Sequence, residues 1–353
     1  MKKHLLKSIF VTTLLAFSAN GFAQGPNDSG TYYAAADGKK GAELKTALCG
    51  IIYNRTERTY GQLWTDYQTT DARSDGKVWD MYSNYFDYTF GSPYQDTGKA
   101  YDKSKKNEGQ FYNREHSWPN SWFGGSVQPM YTDLHHVYPT DKYVNAQRGN
   151  NPFGETNGSW KSENDFSKLG NCTYPGYTGT VFEPNDIYKG DFARTYFYMV
   201  TCYEEKIPDW YTNFGVNNND ANKKETKTAV MATLDGNKYP GLSTWQLEMF
   251  MKWAKNDPVD NPIAKETPRN NAVYSIQKNR NPFIDYPGLE EYIWGSLKDL
   301  AFSYDNYQKP TAIMTTKIET TDKDGVMYNL SGQVVDKSYK GIVIMNGKKF
   351  FNK

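Results

Sequence analysis

The sequence predicts an irregular α+β fold, and three observations lead there. Apolar residues recur at helical spacing in four separated stretches. Long Gly-, Asn- and Tyr-rich loops divide them, notably residues 55 to 110 and 205 to 240. Between Gln110 and Gly149 the chain reads as strand, loop, strand and a helix of about two turns.

The elements can be justified in order. Residues 1–23 carry Lys2, Lys3 and Lys7, then an apolar stretch from Leu5 to Phe17, then Gly21-Phe22-Ala23. This is the pattern of a secretory signal peptide cleaved after Ala23. Residues 24 to 38 are small and polar and suggest a loosely held start. The first helix spans residues 40 to 54, with Leu44, Ala47, Leu48, Ile51 and Ile52 in register. The second runs from Asp191 to Glu205, with Phe192, Tyr196, Met199, Val200 and Tyr203 along one side. The third spans Ser243 to Lys255, with Ser243 as cap and Leu247, Phe250, Met251 and Ala254 inward. The fourth follows Pro287, from Gly288 to Asp299.

The tail differs from the rest. Residues 309–353 hold eight lysines against Glu319, Asp322, Asp324 and Asp336, while residues 24–308 are net −6. Short β-type runs, Gly325 to Leu330 and Gly341 to Met345, are separated by Ser-Gly and Asn-Gly turns. The expected organisation is therefore a signal peptide (1–23), a main domain (24–308) and a small C-terminal β segment (309–353).

Composition excludes several classes. At 38% hydrophobic and 23% charged, with 16% aromatic residues, the chain is globular rather than disordered. Outside the leader no apolar run approaches the ~20 residues of a membrane span. A negative main domain rules out a bulk-basic nucleic-acid coat. Three cysteines, Cys49, Cys172 and Cys202, are too few for a disulfide framework or a Cys-ligated zinc site. One bridge, such as Cys172 to Cys202, and three buried thiols are both compatible with them.

Outside the leader the only histidines are His116, His135 and His136, all in one segment with Glu115, Asp133, Asn145, Arg148 and Asn150. Gln110 to His116 and Leu134 to Tyr138 are β-compatible. Thr140 suits an N-cap, Asp141 the first turn and Gly149 the position after the last. Asn145 falls mid-helix, where its weak propensity needs a reason. Metal chemistry supplies one. A carboxylate, Glu115, and an amide carbonyl, Asn145, are hard donors suited to Mg²⁺, Mn²⁺ or Ca²⁺. A neutral histidine beside them can take a proton from water. Zinc on three histidines fails on spacing, because His135 and His136 would face opposite sides of a strand. The same objection applies to Glu115 and His116 unless the strand ends there. The bland alternative is a set of satisfied histidines beneath an aromatic loop.

The words Asn113-Arg114-Glu115-His116 with Pro119, Asp133-Leu134-His135, Pro139, and Asn145 with Arg148, Gly149 and Asn150 identify a resemblance. Further words are KGDFARTYFYM (Lys189 to Met199), MKWAKNDPVD (Met251 to Asp260) and NRNPFIDYPGLEEYIW (Asn279 to Trp294). Together, over roughly residues 40 to 297, the chain resembles the endonuclease I family of secreted bacterial nucleases. That family belongs to the ββα-metal (His-Me finger) superfamily. The resemblance implies a ββα-metal finger embedded in a mostly helical, loop-rich single domain. The tail resembles the C-terminal sorting modules of type IX secretion substrates, which implies secretion machinery as a partner.

What the family does sets the remaining expectations. His116 would be the general base, and Glu115 and Asn145 would bind one divalent ion, Mg²⁺ with Mn²⁺ or Ca²⁺ as alternatives. Products would carry 5′-phosphate and 3′-hydroxyl ends. Arg148 would clamp phosphate or, by salt bridging, stabilise the helix C-terminus. Asp133, His135 and Asn150 would be structural, and the role of His136 is open. Some relatives carry a phosphate-contacting Arg between the finger strands, but here none lies between Arg114 and Arg148. Arg114, Arg148 and Arg280 are the candidates to replace it. Lys142 and the lysines near 102 to 106 are candidates for phosphate contacts or for a solvated surface, and Trp118, Trp122 and Tyr131 would either stack on bases or pack the loop onto the core. The expected activity is secreted, sequence-nonspecific cleavage of DNA and RNA. The competing readings are a non-catalytic surface protein binding nucleic acid or glycan, and a phosphodiesterase for small nucleotides.

Overall fold

A computed structural model describes residues 24–216, 224–260 and 265–310, and in the tail 327–329, 334–336, 338–345 and 348–352. The expected signal peptide lies outside the described residues. The described residues fall into two units, one up to residue 310 and one after it. In the first, helix α1 (Gly41–Ile52) buries Leu44, Leu48 and Ile52, and α2 (Leu63–Thr70) buries Leu63 and Tyr67. The finger follows as β1 (Tyr112–His116), β2 (Val137–Asp141) and α3 (Lys142–Arg148). Strands β3 (Trp160–Lys161), β4 (Lys168–Asn171) and β5 (Thr180–Glu183) make a small antiparallel sheet. Helices α4 (Lys189–Cys202), α5 (Ile207–Trp210), α6 (Lys224–Thr233), α7 (Thr244–Asn256), α8 (Glu266–Gln277), α9 (Pro282–Asp285) and α10 (Leu289–Ile293) complete it.

Helix α4 is the centre of the unit. Every residue from Gly190 to Cys202 is buried, as expected of a helix covered on all sides. Tyr196 of α4 meets Phe250 of α7 with ring centroids 4.9 Å apart. Arg194 donates through Nε and Nη2 to Glu266 of α8, both at 2.6 Å. A second cluster, Leu63, Tyr67, Leu134, Val137 and Val273, packs α2 and α8 against the finger. These contacts hold the finger's inner side rigid, which a site built on short strands requires.

Several expectations need correction. The 55–110 stretch contains α2, and 205–240 contains α5, α6 and a π-helical turn at Tyr211–Val216. The helix expected to reach Asp299 stops at Ile293. In α7 the inward residues are Trp245, Met249, Phe250, Trp253 and Ala254, with Leu247 and Met251 only half-buried. Ser243 does not cap α7 with its side chain, because its Oγ donates to the Ala232 carbonyl at 2.6 Å. The stretch 24–38, expected to be loosely held, is tied down, with Tyr33 fully buried and its hydroxyl donating to Asp285 Oδ2 at 2.7 Å. All three cysteines are buried and free.

In the second unit, β6 (Met327–Asn329), β7 (Val334–Val335), β8 (Gly341–Met345) and β9 (Lys348–Asn352) form an antiparallel sheet in the order β7-β6-β8-β9. Among the described residues no helix is long and apolar enough to cross a membrane.

Candidate active site

The site begins with the register of two strands. Strand β1 pairs antiparallel with β2, Asn113 opposite Thr140 and Glu115 opposite Tyr138. Alternation puts Asn113 and Glu115 on one face and Arg114 and His116 on the other. Strand β2 begins at Val137 and runs through Pro139, later than Leu134 to Tyr138. Proline is tolerated there because each strand of a two-stranded ribbon is an edge. His135 and His136 therefore precede the strand.

Asp141, not Thr140, caps α3. Its Oδ1 accepts from the Tyr143 and Val144 amides at 2.7 and 2.9 Å. Its Oδ2 accepts from the Tyr88 hydroxyl at 2.6 Å and the Gly109 amide at 2.7 Å. The cap sets the roll of α3, so that Asn145 and Arg148, three residues apart, share the face toward β1. Gly149 ends the helix at φ 57°, a conformation glycine adopts at least cost.

On that face three oxygen-bearing side chains come together. Asn145 Nδ2 donates to Asn113 Oδ1 at 2.9 Å. Glu115 is buried, and its Oε1 accepts from the Tyr82 hydroxyl at 2.9 Å and from Arg148 Nη1. Burial pushes the Glu115 carboxyl up from its ordinary value, while Arg148, Tyr82 and Asn145 work to keep it ionised. One carboxylate and two amides form a hard-oxygen donor set that fits Mg²⁺, Mn²⁺ or Ca²⁺. Among the described residues no cluster of three or more His, Cys, Asp or Glu is arranged to hold a metal.

His116 occupies the opposite face at the end of β1. Its Nε2 lies 2.9 Å from the Tyr131 carbonyl, and its ring stacks with Tyr131 and Tyr60 at 5.1 and 5.9 Å. The carbonyl can only accept, so Nε2 carries the proton and Nδ1 is left with its lone pair. Burial, then the nearby His136, lowers the His116 pKa to about 3, which leaves the ring neutral at pH 7.

The loop that supplies this carbonyl is anchored by Asp133, which is fully buried. Its Oδ1 accepts from Gln277 Nε2 at 2.7 Å and the His135 amide at 3.1 Å. Its Oδ2 accepts from Arg55 and from the Tyr198 and Tyr203 hydroxyls at 2.8 and 2.7 Å. Burial opposes ionisation of Asp133, but Arg55, the two histidines and Gln277 outweigh it and hold the carboxyl well below the usual range. His135 is buried against Tyr198, its Nε2 3.2 Å from the Asn279 carbonyl. Burial lowers the pKa of His135 to about 3 and that of His136 to about 4.

Other expected residues fall elsewhere. The Arg148 side chain is fully buried, and besides Glu115 it donates to the His116 and Ser117 carbonyls at 3.1 and 2.6 Å. It braces the finger and has no open path to a phosphate in this arrangement. Trp118 is fully buried against Trp122, Tyr196 and Trp210, so it packs the loop onto the core rather than facing a base. Trp122 is likewise buried. Arg280 is committed to Asp285, with Nε 2.6 Å from Oδ2. Lys142 pairs with Asp96 at 3.0 Å and stays partly exposed. Arg114 is half-buried, its guanidinium over the Tyr60 and Trp64 rings at 3.4 and 4.3 Å. Its Nη1 donates to the Tyr60 carbonyl at 2.5 Å. Asn150 is half-buried just beyond α3.

The sequence profile described as Endonuclease I matches residues 40–288, which include the whole finger, α1, α4 and α8. The chain belongs to the endonuclease I family. An extracellular ribonuclease of Bacillus amyloliquefaciens is 33% identical over 288 residues, 80% of this chain and 84% of that protein. An extracellular ribonuclease of Bacillus subtilis strain 168 is 35% identical over 274 residues, 76% of this chain and 79% of that protein. Endonuclease-1 of Buchnera aphidicola is 26% identical over 160 residues, 45% of this chain and 48% of that protein.

Sequence reasoning gave no site role to Asn113, Tyr82 or Arg55, and it considered Tyr131 for its ring rather than for the carbonyl that meets His116. Asn113 stands two before Glu115, a spacing that places it on the same strand face, so period-2 reasoning could have found it. Tyr82, Arg55 and the Tyr131 carbonyl come from distant or backbone positions, and no local pattern marks them.

Proposed function

We propose that this endonuclease I family member is an exported, divalent-cation-dependent nuclease cleaving DNA and RNA without sequence specificity. The observation that carries the reading is the pairing of a hard-oxygen donor face (Asn113, Glu115, Asn145) with a neutral, carbonyl-oriented histidine at the next strand position. Export and action on RNA are supported by the two relatives named extracellular ribonuclease. The C-terminal unit would act as the sorting module that engages the secretion machinery.

His116 Nδ1 takes a proton from water, and the resulting hydroxide attacks phosphorus in line with the departing 3′ oxygen. The P–O3′ bond breaks, leaving a 5′-phosphate and, after proton uptake, a 3′-hydroxyl. A single cation on Glu115 and Asn145, with Asn113 beside them, would supply Lewis-acid stabilisation of the phosphate and the leaving oxygen. Arg148 keeps Glu115 oriented, while Arg114 provides the cationic contact to phosphate nearest the base. Lys142 adds a flanking phosphate contact.

The test is cleavage of supercoiled plasmid and of single-stranded RNA by wild type and His116→Ala, with Mg²⁺ or with EDTA. Cleavage by wild type alone, abolished by EDTA, is expected. The variant should fall by at least ~10²-fold, within the range for removal of a general base. A variant retaining more than about a tenth of the activity contradicts the base assignment. Binding without cleavage by wild type contradicts the enzymatic reading.

A further inference from the structure

His136 is the histidine for which the expected chemistry has no use. It is fully buried, and its Nδ1 has no hydrogen-bond partner. Burying an unpaired acceptor costs stability, so an apolar ring would suit the position better unless the other nitrogen is needed. The other nitrogen is engaged, with Nε2 2.7 Å from the Met130 carbonyl. The next carbonyl along the chain, Tyr131, is the one that receives His116 Nε2 at 2.9 Å. Two histidines thus read two consecutive carbonyls of the 3₁₀ turn Met130–Thr132.

The backbone of His136 grips the other side of His116. Its carbonyl accepts from both the amide and the hydroxyl of Ser117, each at 2.9 Å. Ser117 directly follows His116, and Met130 directly precedes Tyr131. One residue therefore fixes both the strand end that carries His116 and the turn that orients its ring. The two imidazole rings pack in a tilted pair with centroids 5.7 Å apart, each Nε2 turned to its own carbonyl rather than to the other ring.

We propose that His136 is a positioning residue. Its Nε2–H holds the Met130 carbonyl, which fixes the Tyr131 carbonyl and thereby the Nε2–H tautomer of His116. The proposal rests on the reading of His116 as general base. Displacement of a catalytic group by about an ångström can cost ~10²-fold in rate, so loss of this bond is expected to lower kcat by about 10–100-fold with KM little changed.

The experiment uses the full chain and three variants, His136→Phe, His136→Gln and His116→Ala. His136→Phe keeps a buried ring and removes the donor, and thermal melting confirms that it folds. His136→Gln restores an N–H toward Met130 and should recover most of kcat. The readout independent of activity is ¹⁵N NMR of the imidazoles without metal: His116 should be a single Nε2–H tautomer in wild type and in His136→Gln, and a mixture in His136→Phe. In a His116→Ala background, His136→Phe should lower the residual rate by less than twofold. A folded His136→Phe with wild-type kcat and an unchanged His116 tautomer overturns the proposal. Failure of the base reading is distinct: His116→Ala would then stay active, whatever the tautomer in His136→Phe.

Discussion

Two buried carboxylates of this molecule each pair with a buried arginine, and the difference between them separates scaffold from chemistry. Asp133 takes five donors spread over both oxygens, from Arg55, Tyr198, Tyr203, Gln277 and the His135 amide. Glu115 takes Arg148 and Tyr82 on the same oxygen, Oε1, and shares its face with the amides of Asn113 and Asn145. Their pKa values move in opposite directions, Asp133 down and Glu115 up. A carboxylate saturated by donors holds a loop in place. One whose donors crowd a single oxygen can still serve as a ligand.

The largest effect should come from the saturated carboxylate. Asp133→Asn leaves Arg55 buried without its counter-charge, and breaking such a pair costs about 3–5 kcal/mol. Urea unfolding at pH 7 measures it, and a loss under about 1 kcal/mol would mean that Asp133 is not the anchor. The pH dependence follows in sign. The folded pKa of Asp133 lies below its unfolded value of about 3.9, so its contribution is complete above that value and shrinks as pH falls through it. The gap between wild type and Asp133→Asn should therefore narrow below about pH 4.

On the core side, Trp118 packs against Tyr196 and Trp210. Trp118→Phe should cost about 1–3 kcal/mol of stability and leave KM for nucleic acid unchanged. A raised KM with unchanged stability would restore Trp118 as a base-stacking platform. The smallest effect belongs to Lys142, whose pair with Asp96 is partly exposed. Lys142→Ala should change stability by less than about 1 kcal/mol and raise KM a few-fold at low salt, the effect fading as salt rises. A KM effect that persists in high salt would move Lys142 into the site proper.

The legible part of this molecule was the finger, and the reasons are local. His116, Asn145 and Gly149 each sit where strand alternation, helix propensity or a left-handed stop gives a residue type a short-range meaning. The α4 helix was legible too, because its apolar residues keep helical spacing. Helix α8 was not, since Glu266 to Gln277 is largely polar and is fixed by pairs such as Arg194 with Glu266 and Arg269 with Asp71. Trp118 was left open between base stacking and core packing for a similar reason: Tyr196 and Trp210, far along the chain, decide which way its ring faces. Arg148 was undecided from sequence because a phosphate clamp and a salt bridge at the helix C-terminus use the same guanidinium. Only the surrounding carbonyls of His116 and Ser117 separate the two.

On the proposed function Glu115 holds the cation while His116, one residue on, does not. Isothermal titration of Mn²⁺ into wild type, Glu115→Gln and His116→Ala, each checked for folding by circular dichroism, tests it directly. One ion per chain in wild type and in His116→Ala, with binding lost in folded Glu115→Gln, is the predicted result. Unchanged Mn²⁺ binding in folded Glu115→Gln would contradict it.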